Sequence, residues 1–198
     1  MKQYNMAKIQ KRLRKELDGD RYCHTLGVMY TSASLAMCHG EDLQKAQIAG
    51  LLHDCAKCIP NEKKIRMCQK YEIPVSDIEF HAPYLLHSKL GAYLAEKKYG
   101  VEEAEILSAI TWHTTGKPQM TLLEKIIFMA DYIEPMRWKA ENLEEIRRLS
   151  FQDLDQAVYL TLRDTLHYLE KGSGQVDPMT YEAYQYYHEA CKDRRPEE

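Results

Sequence analysis

The chain has no apolar run long enough to span a bilayer, and its start, Met1 to Lys15, is polar and basic without the apolar core of a secretion signal. A cytoplasmic protein is therefore expected, with no membrane partner. It also lacks an excess of charge of either sign. With 27 basic against 30 acidic residues, the net charge of −3 gives no overall field to draw in nucleic acid or an anionic membrane, so any phosphate recognition must be local. No stretch rich in Pro, Gly or Ser divides the 198 residues. They are read as one domain over 1–192 with a frayed, charged tail at 193–198.

A disulfide framework is absent as well. The six cysteines, Cys23, Cys38, Cys55, Cys58, Cys68 and Cys191, show no framework spacing and are expected to be reduced thiols. Cys55 and Cys58 form a CxxC, but a zinc ribbon needs a second pair and a thioredoxin-type motif needs a preceding strand. Strand signals are almost missing from end to end, whereas apolar residues recur at spacings of three and four, which predicts an all-α fold. Helices are predicted from Asn5 to Leu17, from an Asp20 cap to about Cys38, and from Glu41 and Asp42 to His53. Further ones run from Asn61 to Tyr71, His87 to Tyr99, Val101 to Trp112, Thr121 to Glu134, Asn142 to Leu149 and Phe151 to Lys171. After Gly172, Ser173 and Gly174, a tyrosine-rich helix starts at Asp177 and Pro178.

What is present is a set of polar residues in apolar surroundings. His53 and Asp54 close the run Ile48, Ala49, Gly50, Leu51, Leu52. His24 lies among Tyr22, Leu26 and Val28; His87 follows Leu85 and Leu86; His113 ends the pattern of Ile106, Ala109 and Ile110; Asp131 sits within Ile126 to Ile133. An unpaired carboxylate in such a helix costs several kcal/mol, about what a partner or cation has to offset. One such histidine is ordinarily a satisfied core residue, but five such segments meeting by accident is a poor explanation. Imidazole and carboxylate together suit iron, manganese, cobalt or zinc.

The order His24, His53–Asp54, Asp131 resembles the HD-domain metal-dependent phosphohydrolases. The surrounding blocks are similar to their YqeK-type branch, the symmetrical diadenosine tetraphosphate hydrolases of bacteria. Those blocks are Arg21 to Val28, Gly50 to Lys57, Leu86–His87, Gly91 to Tyr93, His113 to Gly116 and Ala130 to Pro135. Two positions depart from the branch: Lys117 stands where Arg is frequent, without its guanidinium fork, and Asp177 where His is frequent.

The resemblance implies a single HD-domain helical bundle that splits diadenosine tetraphosphate into two ADP, with iron as the metal, manganese or cobalt as alternatives, and a homodimer. It assigns His24, His53, Asp54 and Asp131 as metal ligands, leaving positions on a six-coordinate ion for water and a phosphate oxygen. Asp54, His87 and His113 are expected at the reacting centre. His87 and His113 either complete a second metal site across Asp54 or contact phosphate beside one ion, and the second is the working expectation. Arg21, Lys57, Thr114 and Arg137 are expected to hold phosphate oxygens. Tyr181, Tyr184, Tyr186 and Tyr187 can stack an adenine, though packing is the commoner use of such residues. Three other readings compete: the same fold acting on a nucleoside triphosphate, guanosine alarmone or cyclic nucleotide, a nucleotide sensor without turnover, and a helical scaffold with scattered histidines.

Overall fold

The computed structural model describes residues 4–140, 142–172 and 176–192. Most of the expected 172–174 loop and the whole 193–198 tail lie outside them. Among the described residues the regular structure is entirely helical, with no strand. In chain order the helices are α1 (Met6–Glu16), α2 (Gly19–His39), α3 (Leu43–Leu52), α4 (Asn61–Lys70), α5 (Asp77–His81) and α6 (His87–Tyr99). They continue as α7 (Ala104–Trp112), α8 (Leu122–Ile133), α9 (Leu143–Ser150), α10 (Leu154–Lys171) and α11 (Pro178–Ala190), with a 3-10 turn at Pro83–Leu86.

Three boundaries differ from expectation for local reasons. Asp18, not Asp20, caps α2: its backbone is extended and its carboxylate accepts from the Arg21 amide at 2.8 Å. Asp20 instead sits in the first turn, where a negative charge favours the helix dipole. Val101 belongs to the end of α6, because its amide reaches back to Ala95 across the left-handed Gly100, so α7 starts only at Ala104. Phe151 finishes α9, and Asp153 caps α10 through the Gln156 amide. Elsewhere the cues hold. Thr121 and Glu124 form a reciprocal capping box on α8, and Asp177 caps α11.

The helices that matter for chemistry pack on one another. α3 lies along α2 and also touches α7 and α8; α8 touches α2 and α7; α6 packs on α7. α3 comes closest to α2 at Gly50, where a Cβ would stand 2.6 Å from Ser32 Oγ and 3.0 Å from Met29 Cα. Only glycine lets α3 settle that closely on α2. Their shared interior includes Leu35, Ile48, Leu51, Leu52, Ile110 and Ile127, all fully buried. Each such side chain contributes about 1.5–3 kcal/mol. α10 and α11 pack together, and α10 also covers α8 and α9. The polar ends of α2, α3, α7 and α8 thus share one wall of a rigid bundle.

Candidate metal centre

α3 ends at Leu52, and His53 and Asp54 follow in a run of tight turns marked by the Cys55 amide on Leu52 O and the Lys57 amide on Asp54 O. The ring of His53 folds back so that Nδ1 lies 2.7 Å from Gly50 O, its own carbonyl three residues earlier. His87 does the same with Tyr84 O at 2.6 Å, and His113 with Ile110 O at 2.7 Å. A carbonyl only accepts, so each Nδ1 carries the proton and each Nε2 keeps its lone pair. In α2, His24 Nδ1 is 3.0 Å from Glu134 Oε1, which fixes the same tautomer.

Those Nε2 atoms converge. His24, His53 and Asp131 offer atoms all within 4.8 Å of one another, and so do His53, Asp54 and His113. His24 Nε2 is 3.0 Å from Asp131 Oδ1 and 3.8 Å from Asp54 Oδ2; His53 Nε2 is 3.4 Å from Asp54 Oδ2 and 3.9 Å from Asp131 Oδ1. On the far side of Asp54, its Oδ1 is 3.2 Å from His87 Nε2 and 3.7 Å from His113 Nε2. His53, Asp54, His87 and His113 are buried, while Asp131 is partly open at the mouth.

The donor set fits a cation. His24 Nε2, His53 Nε2 and Asp54 Oδ1 are buried without a hydrogen-bond partner, a costly arrangement that a metal would relieve. Burial by itself pushes the Asp54 carboxyl up, and positive charge at the imidazoles of His53, His113 and His87 is what holds it well below the usual carboxylate range, a place that a bound cation would take when those rings are neutral. Asp131 is likewise held low, against burial, by His24 and His53. His87 is pushed down to about 4 by burial, so near neutral pH it is an uncharged lone-pair donor.

Cations ring the centre. Arg21 Nη1 donates to Asp54 Oδ2 at 2.7 Å, and Arg137 donates to Asp131 through Nη2 to Oδ1 at 3.0 Å and through Nε to the carbonyl at 3.1 Å. Lys57 Nζ is 3.1 Å from His87 Nε2 and 3.7 Å from Asp54 Oδ1. Thr114 Oγ1 lies between His87 Nε2 at 3.2 Å and His113 Nε2 at 3.1 Å. Every residue expected at the site therefore lies at or beside it.

Other polar residues stand apart. Lys117 pairs with Glu124 at 3.1 Å. His39 bonds Ser150 O, His81 bonds Asp77 O on the surface, and His167 is exposed. Tyr187 is buried with its hydroxyl on the Met120 amide, while Tyr184 stacks on Tyr159 and neighbours His188. The thiols of the CxxC turn to different partners, Cys55 to Gly91 O and Cys58 to Asp18, and burial pushes the Cys55 thiol up to about 12.

Glu134 is the residue whose role the sequence reading missed. It is 1% exposed, and it accepts from the Met136 amide through Oε2 at 2.7 Å while holding His24 through Oε1. Gly27 on α2 makes room for it, since a Cβ there would meet Glu134 Oε2 at 2.5 Å. The carboxylate is tied at both oxygens and has nowhere to swing. Gly27→Ala is expected to keep the helical content yet loosen His24, with roughly a tenfold loss of metal affinity in a chelator competition. Unchanged affinity would show that Glu134 can move without cost.

Beside the centre opens a cavity of about 630 Å³, bordered by His113, Thr114 and Asp131 and carrying Arg21 and Arg137 in its lining. A family model described as the HD domain matches residues 21–136. The symmetrical bis(5'-nucleosyl)-tetraphosphatase of Bacillus subtilis is 41% identical over 172 residues, 87% of this chain and 91% of that protein. The protein of the same description from Halalkalibacterium halodurans is 39% identical over 180 residues, 91% and 95% of the two chains. Among solved structures, a predicted HD superfamily hydrolase involved in NAD metabolism from Clostridium acetobutylicum superposes with a TM-score of 0.91 at 40% identity, over 96% of this chain and 100% of that one.

Proposed function

The chain belongs to the HD-domain family and, within it, to the symmetrical bis(5'-nucleosyl)-tetraphosphatases, and from that membership we propose that it hydrolyses diadenosine tetraphosphate at the middle anhydride. Water adds to one central phosphorus, the bridging P–O bond breaks, and one ADP departs with the electron pair while the other keeps the new oxygen. A proton is released. The observation that carries this reading is the convergence of inward Nε2 lone pairs and two carboxylates, with three of these buried atoms lacking a hydrogen-bond partner.

His24, His53, Asp54 and Asp131 would hold a metal, which when bound supplies a lowered water pKa and withdraws charge from a phosphate oxygen. The remaining work belongs to the side chains. Arg21 and Arg137 each use part of a guanidinium on a carboxylate and keep other N–H groups for phosphate oxygens. Lys57 brings an ammonium to Asp54 and His87, placed to neutralise charge on the departing ADP. Thr114 Oγ1 lies within reach of both inner imidazoles and can donate its one proton to either.

One contact favours a second cation in addition. His87 Nε2 and His113 Nε2 face each other at 3.1 Å with both Nδ1 protons committed to carbonyls. As neutral rings they have no proton to offer a phosphate, whereas a cation between them and Asp54 Oδ1 would use both lone pairs. Iron is the metal that the family resemblance implies, with manganese and cobalt as alternatives, and mixed imidazole and carboxylate donors accept all three. A homodimer, a cytoplasmic location and a single domain over 1–192 belong to the same proposal. Among the described residues no helix is long and apolar enough to cross a membrane.

Product analysis tests the reaction. Protein loaded with iron, manganese or cobalt should convert diadenosine tetraphosphate to ADP alone. ATP with AMP would move the cut to another anhydride, and binding without turnover in any of the three metals would indicate a sensor. Metal analysis of the purified protein, near one ion or near two per chain, separates the two arrangements of His87 and His113.

A further inference from the structure

Trp138 is 76% exposed and Met136 is 63% exposed, both on the short connection between α8 and α9 that lines the cavity beside the metal centre. An indole left that open beside a polar cavity offers a flat apolar face to a ligand that enters it. The connection is nevertheless anchored. Arg147 donates to Ile133 O at 2.9 Å, Glu134 O at 2.9 Å and Arg137 O at 2.8 Å, and Arg137 is tied in turn to Asp131. The indole therefore stands on a fixed base, one residue beyond a guanidinium bonded to a candidate metal ligand. Lys139 Nζ lies 4.7 Å from the ring centroid and shields only part of it.

The cavity wall has the chemistry of a nucleoside. Apolar surface comes from Tyr132 and the edge of Phe128, and hydroxyls from Thr165 and Thr180, while the cationic and metal-facing groups gather at Arg21, Arg137 and Asp131. A nucleotide carries the same sequence of properties: charged phosphates, a polar sugar and a flat apolar base. Resting on the proposed hydrolysis, we propose that Trp138 is the stacking platform for one nucleobase of the substrate and that this cavity holds one ADP arm. The tyrosines of α11 lie outside that wall: Tyr187 is buried, Tyr184 is stacked on Tyr159, and the exposed Tyr181 and Tyr186 do not line the cavity.

The test separates base from phosphate. In metal-loaded Trp138→Ala protein, KM for diadenosine tetraphosphate should rise roughly tenfold with kcat nearly unchanged, in line with the loss of one base–aromatic stack. Trp138→Phe should recover most of the affinity. Inhibition by inorganic tripolyphosphate, which has no base, should be the same in wild type and both variants. The chain has two tryptophans, so Trp112→Phe leaves Trp138 as the only reporter, and ADP but not tripolyphosphate should quench it. An unchanged KM overturns the proposal. So does a parallel weakening of tripolyphosphate, which would make Trp138 a support for the site's shape. A shift in oligomeric state without a change in KM also overturns it, by assigning the indole to a contact between copies. If wild-type protein does not cleave the dinucleotide at all, the proposed reaction fails, while quenching by ADP still reports on the stack.

Discussion

Purified Asp54→Ala protein is expected to retain no stoichiometric transition metal and no measurable turnover, while its far-ultraviolet circular dichroism stays that of the wild type. Asp54 is the carboxylate that faces both halves of the centre: Oδ2 faces His24 and His53, and Oδ1 faces His87 and His113. Its loss takes a ligand charge from both sides and leaves only Asp131 as an anionic ligand, so the effect should exceed the roughly 10–100-fold that loss of an outer partner costs a metal site. The fold should persist because Leu51 and Leu52, just before it, are fully buried in contacts independent of the carboxylate. Arg21 loses an anion but is partly exposed and can turn to water. Metal analysis, turnover and circular dichroism on one preparation decide the matter. Unfolded protein would make Asp54 a structural residue, and retained metal with retained turnover would remove it from the centre.

The convergence was legible because chemistry and pattern disagree in the sequence. His24, His53, His87, His113 and Asp131 each break an apolar helical run, and a polar group in such a place needs a partner that its own helix does not supply. The helices themselves followed from spacing and breakers, but their first residues did not. Asp18 and Asp20 are equally good caps on paper, and only the extended backbone at Asp18 decides between them. The tautomers were not legible either. They depend on whether each ring folds back onto the carbonyl three residues earlier, as it does at His53, His87 and His113. Trp138 was passed over because nothing in its neighbours predicts exposure beside a cavity; the tyrosine-rich helix drew attention instead. Glu134 did leave a signal. An acidic side chain at the C-terminal end of a helix opposes the helix dipole, so its place directly after Ile133 asks for another use.

That use predicts the second large effect. Glu134→Gln is expected to weaken metal binding roughly 10–100-fold while leaving the protein folded, because the amide cannot do what the carboxylate does. Two donors point at this side chain from opposite sides, His24 Nδ1–H at Oε1 and the Met136 amide at Oε2. Glutamine has one accepting oxygen. If that oxygen serves Met136, its NH₂ meets His24, and the ring relieves the clash by moving its proton to Nε2, the atom that must stay unprotonated to bind a cation. If the oxygen serves His24 instead, the NH₂ opposes the Met136 amide and strains the chain that carries Arg137 and Trp138. Gly27 leaves no spare room in which the side chain could escape the choice. Competition against a chelator of known affinity measures the loss directly, and Glu134→Ala, which removes both contacts, should lose at least as much. Affinity within twofold of wild type in Glu134→Gln would reduce the residue to a helix stop that happens to lie near His24.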